Sequence, residues 1–217
     1  MRKQWPLTLK ARIGNFLADW SGVAAIEFAY LAPLLMLMTF GTFEMARALI
    51  VQKRFQRAAS MVADLVARQD QTDPLGTTAS AARSTLSGIM ISAQHVMQPY
   101  SSTPLTLNIY QLWASPTDAT QTKIEWAYQY PTNASTGCGN LKSMPASGML
   151  ATNGRAIVVE ATYQYTPLLT NIIPGLVHQT TWADKMALLP RNGPTVYFIP
   201  SLNNSKTWTS PDLSPCQ

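Results

Sequence analysis

From Val23 to Phe43 the chain reads VAAIEFAYLAPLLMLMTFGTF, with one ionisable residue, Glu27, in 21 positions. As a helix this stretch is about 31 Å long, enough to cross a hydrocarbon core of about 30 Å. Pro33 removes a backbone donor and predicts a kink, which membrane helices tolerate better than soluble ones. Gly41 is a second soft point. The helical pattern then continues. Glu44–Gln69 contains no Gly or Pro, and Phe55, Ala58, Ala59, Val62, Leu65 and Val66 recur at the spacing of one helix face. Lys53, Arg54, Arg57, Asp64 and Arg68 fall mainly elsewhere, and Asp64 stands four positions before Arg68, a favourable pair. One helix of roughly 45 residues is expected, apolar in its first half and amphipathic in its second.

Thr72-Asp73-Pro74-Leu75-Gly76 is a turn signal, and a second helix is expected over about Thr78–Met97, weakened near Gly88. Beyond Pro99 the period changes to that of strands. Leu105, Leu107, Ile109 and Tyr110 lead into one, and Lys123–Tyr130 reads as its partner. A turn-rich stretch covers Pro131–Gly148. Ala156–Tyr165 carries the strongest β-branched and aromatic signal, Thr180–Leu189 predicts another strand, and Thr195–Ile199 a short edge strand. The fold class is α+β: a long transmembrane and amphipathic helix, a second helix, and a mostly antiparallel β domain. The expected organisation is a basic leader at 1–22, a span at 23–43, its amphipathic continuation at 44–70 and an exported domain at 71–217.

Charge adds topology to this picture. The net charge is +5, but residues 1–22 alone hold Arg2, Lys3, Lys10 and Arg12 against Asp19, leaving the rest close to neutral. No basic stripe interleaved with aromatics is present, so no nucleic-acid partner is expected. The leader should stay in the cytoplasm by the positive-inside rule, although Lys53, Arg54 and Arg57 form a rival positive flank. Only 12% of residues are charged, as in many membrane-attached or extracellular chains. Two cysteines, Cys138 and Cys216, cannot make a four-ligand zinc site by themselves. In an exported domain they could pair, and their pairing is not deducible from sequence. His95 and His178 stand alone, and phosphate-loop, nucleophile-elbow and zinc-protease motifs are lacking. Neither an enzyme activity nor a metal or cofactor is expected.

Four features coincide at the N-terminus: the basic leader, Ser21-Gly22, the small residues Val23-Ala24-Ala25, and Glu27-Phe28 just inside the apolar run. A secretory signal is cut after its apolar region, not before it. A carboxylate at the edge of a span calls for a cationic partner. Cutting after Gly22 creates one, the α-amino group of Val23, and makes Glu27 the fifth residue of the mature chain.

Gly22 followed by Val23-Ala24-Ala25-Ile26-Glu27-Phe28 resembles the prepilin-peptidase site of type IVb pilins and pseudopilins. More narrowly, GVAAIEFAYLAPLLMLMTFGTFEMARAL is similar to the opening of TadE-like proteins of tight-adherence (Tad) pilus systems. The resemblance implies that Gly22 precedes the cleaved bond, that Glu27 aids processing and assembly, and that Glu44 and Arg47 fill the family's glutamate and arginine positions after the span. Thr162-Tyr163-Gln164-Tyr165-Thr166-Pro167-Leu168 is similar to the family's Tyr-x-Tyr-x-Pro segment. Partners implied are prepilin peptidase, other pilin and pseudopilin subunits, Tad assembly proteins and the membrane. The 22-residue leader is longer than many pilin leaders. The Asp-x-Ser-x-Ser run of the larger members is lacking, which points to a TadE- or TadF-type minor pseudopilin in the inner membrane. Two other readings stay open: an uncleaved anchor carrying a periplasmic binding module, and release by signal peptidase I at Ala46-Arg47-Ala48.

Overall fold

The structure, a computed structural model, describes residues 21–69, 75–132, 137–168, 170 and 178–198. Residues 1–20 of the expected leader, part of the 166–178 loop, and the tail from Ile199 with Cys216 lie outside the described residues. Among the described residues, two helices, α1 (Ser21–Ala67) and α2 (Ala79–Met97), precede four strands, β1 (Leu105–Ala114), β2 (Thr122–Tyr130), β3 (Arg155–Tyr165) and β4 (Thr180–Leu188). All strand pairs are antiparallel and the order is β2-β1-β3-β4, an α+β arrangement. The chain divides into two compact units, ending and starting at Ala46 and Arg47.

In the first unit α1 runs helically through Pro33 and Gly41. Thr39 and Thr42 donate to the carbonyls of Leu35 and Met38, each at 2.7 Å, so both hydroxyls are satisfied by the helix itself. The apolar side chains of this stretch are exposed, from Val23 to Phe43 and Met45. A helix that is apolar all round and unburied by its own chain is suited to lipid or to other helices. Among the described residues, α1 is the one helix long and apolar enough to cross a membrane.

In the second unit the remainder of α1 becomes one wall of the core. Val51, Phe55, Ala58, Ala59, Val62, Ala63, Val66 and Ala67 are buried, whereas Leu65, expected among them, is only half-buried. The Asp64–Arg68 pair forms at 2.5 Å. Arg191 adds a second cation to Asp64 at 2.6 Å, and its backbone N–H donates to Ala67 O, fastening the end of β4's exit to the end of α1.

Gly76 marks a place where only glycine fits, since a Cβ would lie 2.2 Å from the backbone nitrogen of Ala82. Thr78 caps α2 by accepting from Ala81 N–H at 3.2 Å. The expected weakness at Gly88 does not interrupt α2. A mid-helix glycine costs about 1 kcal/mol relative to alanine, and here buried Ala82, Leu86, Met90, Ala93 and Met97 outweigh it.

Leu107, Ile109, Trp126, Tyr128, Ile157, Val159, Tyr163 and Tyr165 join both helices in one core. The opposite face of the sheet is also covered. Tyr110, Leu112, Ile124, Ala127 and Val158 pack with Met144, and Ala114, Leu150 and Ala156 with Met144 and Met149. The stretch expected only to turn therefore also forms a lid on the sheet. Its residues 139–142 run along β2, with Gly139 N–H to Ile124 O, Ile124 N–H to Asn140 O, and Lys142 N–H to Thr122 O.

The edge strand expected at Thr195–Ile199 is not formed over the described residues 195–198. This segment is irregular yet buried at Thr195, Val196 and Phe198. Side chains hold it where a strand ladder was expected. Gln111 accepts from Val196 N–H at 2.9 Å, Trp126 Nε1 donates to Val196 O at 3.2 Å, and Phe198 lies 5.8 Å from the Trp126 ring.

Candidate processing and assembly segment

Ser21 opens the described part of α1, so the Gly22–Val23 peptide bond lies in its first turn. A Cβ at Gly22 would meet nothing within 4 Å, so packing does not require the glycine there. Val23 is 50% and Phe28 67% exposed, and Glu27 is exposed as well. The helix neighbours of Glu27 at three and four positions' distance are Val23, Ala24, Tyr30 and Leu31, all exposed and without a cation. Among the described residues, no cation pairs with Glu27. A carboxylate in that setting is costly in lipid, by about 2.5–3.5 kcal/mol on insertion scales at mid-membrane. An ammonium at Val23 would offset that cost, aided by the positive end of the helix dipole.

The residues that follow the apolar run behave differently. Glu44 is buried, 8% exposed, amid exposed apolar neighbours. Arg47 donates from Nη1 to the Tyr165 hydroxyl at 3.2 Å and lies over the rings of Tyr165 and Tyr100, 5.5 and 5.9 Å from their centroids. Tyr165 stacks on Trp182 at 4.8 Å, and Tyr163 sits 6.0 Å from Phe55 while donating to Ser101 O at 2.9 Å. Burial pushes the Tyr163 phenol up, against the opposing charge of Arg47. The arginine after the span and the Tyr-x-Tyr-x-Pro segment, 118 positions apart from Arg47 to Tyr165, thus form one junction. Trp182 and Tyr100 belong to it and were not singled out from sequence for this role. The alternation of β3 and β4, which pairs Tyr163 with Trp182, is the signal that points to the former.

The rival positive flank is also divided. Arg54 lies 5.7 Å from the Tyr100 ring centroid and donates to the carbonyls of Val96 and Gln98. Lys53 donates to the amide oxygen of Gln56 at 3.4 Å, and no described carboxylate pairs with Lys53 or Arg57. Cys138 is disulfide-bonded, and Cys216 lies outside the described residues. His95 and His178 are exposed.

Among the described residues, fold and segment together define an α+β arrangement with one long N-terminal helix that is apolar enough to cross a membrane. Residues 22–64, from Gly22 to Asp64 within α1, match the family model of TadE-like proteins. The sheet lies outside that match. No curated protein and no solved structure matches the chain significantly.

Proposed function

We propose that this chain is a pilin-like minor subunit, a pseudopilin, for assembly of a Tad-type type IVb pilus. The observation that carries the reading is Glu27, a lone exposed carboxylate within the first turns of an exposed apolar helix whose TadE-like match begins at Gly22. On this reading the leader stays in the cytoplasm and the span enters the inner membrane. Prepilin peptidase adds water across the Gly22–Val23 bond, leaving a carboxylate on Gly22 and an amine on Val23. The apolar helix then packs against other pilin helices, and Glu27 sets register by pairing with the Val23 ammonium of a neighbour. The α+β domain lies in the periplasm, where it caps, primes or modifies the pilus. A disulfide at Cys138 suits that oxidising compartment.

Glu27→Gln tests this directly, because it keeps the side chain's size and removes its charge. Membrane insertion should be unchanged, while leader removal or piliation falls severely. Normal processing together with normal piliation in that variant would count against the role given to Glu27.

A further inference from the structure

On α1, Leu49, Ile50, Lys53 and Arg57 are all exposed, and Lys53 follows Leu49 by four positions and Ile50 by three and precedes Arg57 by four. At 100° per residue they form one stripe. Its upper part is apolar, with Leu49 53% and Ile50 50% exposed, and its lower part is cationic. The face turned inward at the same level carries Val51 and Phe55, both buried, so the stripe is the side of the helix that the core leaves uncovered.

We infer that this stripe is a lipid-headgroup contact: Leu49 and Ile50 enter the interfacial layer of the leaflet from which α1 emerges, and Lys53 and Arg57 bind the phosphates of anionic phospholipids. The inference rests on the reading of residues 23–43 as a membrane span.

Three observations support it. The first is continuity, because the exposed apolar surface of α1 does not end at Phe43 but continues through Met45 to Leu49 and Ile50. The second is dimension. Counted from Val23, where the span begins, a hydrocarbon core of about 30 Å takes about 20 residues and ends near Phe43. A headgroup layer of about 5–7 Å takes four or five more, so Leu49 and Ile50 stand at its outer edge, and Lys53 and Arg57 reach back toward it through side chains that lean to the helix N-terminus. The third is charge. Arg47 and Arg54, at neighbouring levels, are engaged by tyrosine rings and carbonyls of the domain. Lys53 and Arg57 have no described carboxylate, and their long stems allow the cations to reach phosphates while the chains lie on apolar surface.

The test uses the full chain reconstituted in vesicles, spin-labelled at Ile50→Cys or, separately, at Leu35→Cys. Collisions of the label with oxygen, which dissolves in hydrocarbon, are compared with collisions with a water-soluble nickel chelate. The vesicles are phosphatidylcholine alone, or the same lipid with about a third replaced by phosphatidylglycerol. The expected result is an oxygen-to-nickel ratio at position 50 that rises about twofold with phosphatidylglycerol, a rise abolished by the charge reversals K53E and R57E made together. A nickel-dominated label at position 50 with an oxygen-dominated one at position 35 overturns the headgroup contact and leaves the span intact. Low access to both reagents at position 50 means that protein covers the stripe, which also overturns it, as does indifference to phosphatidylglycerol. Nickel access at position 35 removes the span reading and this inference with it.

Discussion

Replacing Gln111 with leucine removes the polar centre that fixes the C-terminal segment to the sheet. Gln111 is fully buried, donates from Nε2 to Glu125 Oε2 at 2.5 Å and to Thr195 Oγ1 at 2.8 Å, and accepts from Val196 N–H at 2.9 Å. Leucine has nearly the same volume, so cavity formation contributes little and the cost is polar. The buried Val196 N–H is left without its acceptor, about 1–3 kcal/mol. Glu125 loses one charge-assisted bond but keeps Arg155 Nε at 3.0 Å, which limits that loss to the lower end of about 1.5–3 kcal/mol. Leucine's more apolar side chain returns about 1 kcal/mol. The net destabilisation is about 3 kcal/mol, or about 6–12 °C in Tm for a domain of this size. Thermal unfolding followed by near-ultraviolet circular dichroism reads the global effect, and hydrogen exchange at the Val196 amide reads the local one. A loss below about 1 kcal/mol with an equally protected Val196 amide would refute the assignment of that segment to Gln111.

Glu160→Gln should flatten the acid limb of stability. Glu160 accepts from Tyr110 at 2.7 Å and from Lys185 at 3.0 Å, with Lys142 at 3.4 Å. Burial raises its pKa, but the Tyr110 and Lys185 hydrogen bonds and both lysine charges bring it below 4.5. A depressed carboxyl contributes stability that is present above its unfolded value and lost as pH falls through the folded one. Denaturant midpoints should therefore separate wild type from variant by about 1 kcal/mol at neutral pH and converge as pH falls below that value; a constant gap contradicts this. Non-reducing peptide mapping of the exported protein should link the Cys138 peptide to the Cys216 peptide, and Cys138→Ser should cost about 4 kcal/mol for so long a loop. A Cys138 peptide joined to any other molecule overturns that pairing.

The elements with a strong period were legible from sequence. The expected helix through Gln69 and the strands at 123–130, 156–165 and 180–189 lie within a residue or two of α1, β2, β3 and β4. Side-chain period reports which face an element buries, and Phe55, Ala58, Ala59, Val62 and Val66 are buried as their spacing predicted. What failed lacked such a period. Thr195–Phe198 has β-branched and aromatic residues, but its backbone partners are a glutamine side chain and an indole from β1 and β2, more than 60 positions away, and the Leu75 N–H that donates to Tyr197 O. Met144 sits in a turn-rich stretch, and Leu150 just beyond it, where a polar texture conceals that they cover a sheet face. At the candidate segment, Gly22, Val23, Glu27 and Phe28 stand out because a carboxylate interrupts an apolar run. The Arg47–Tyr165 junction could not be read, since it depends on where β3 lies against α1.

The account depends most on whether the chain is cut in front of its apolar helix. Intact mass and N-terminal sequencing of the protein recovered from membranes, in cells with and without prepilin peptidase, measure that most directly. A chain beginning at Val23 is expected when the peptidase is present, and one beginning at Met1 when it is absent. A chain that begins at Met1 in both contradicts it, and one that begins near Leu49 indicates release by signal peptidase I.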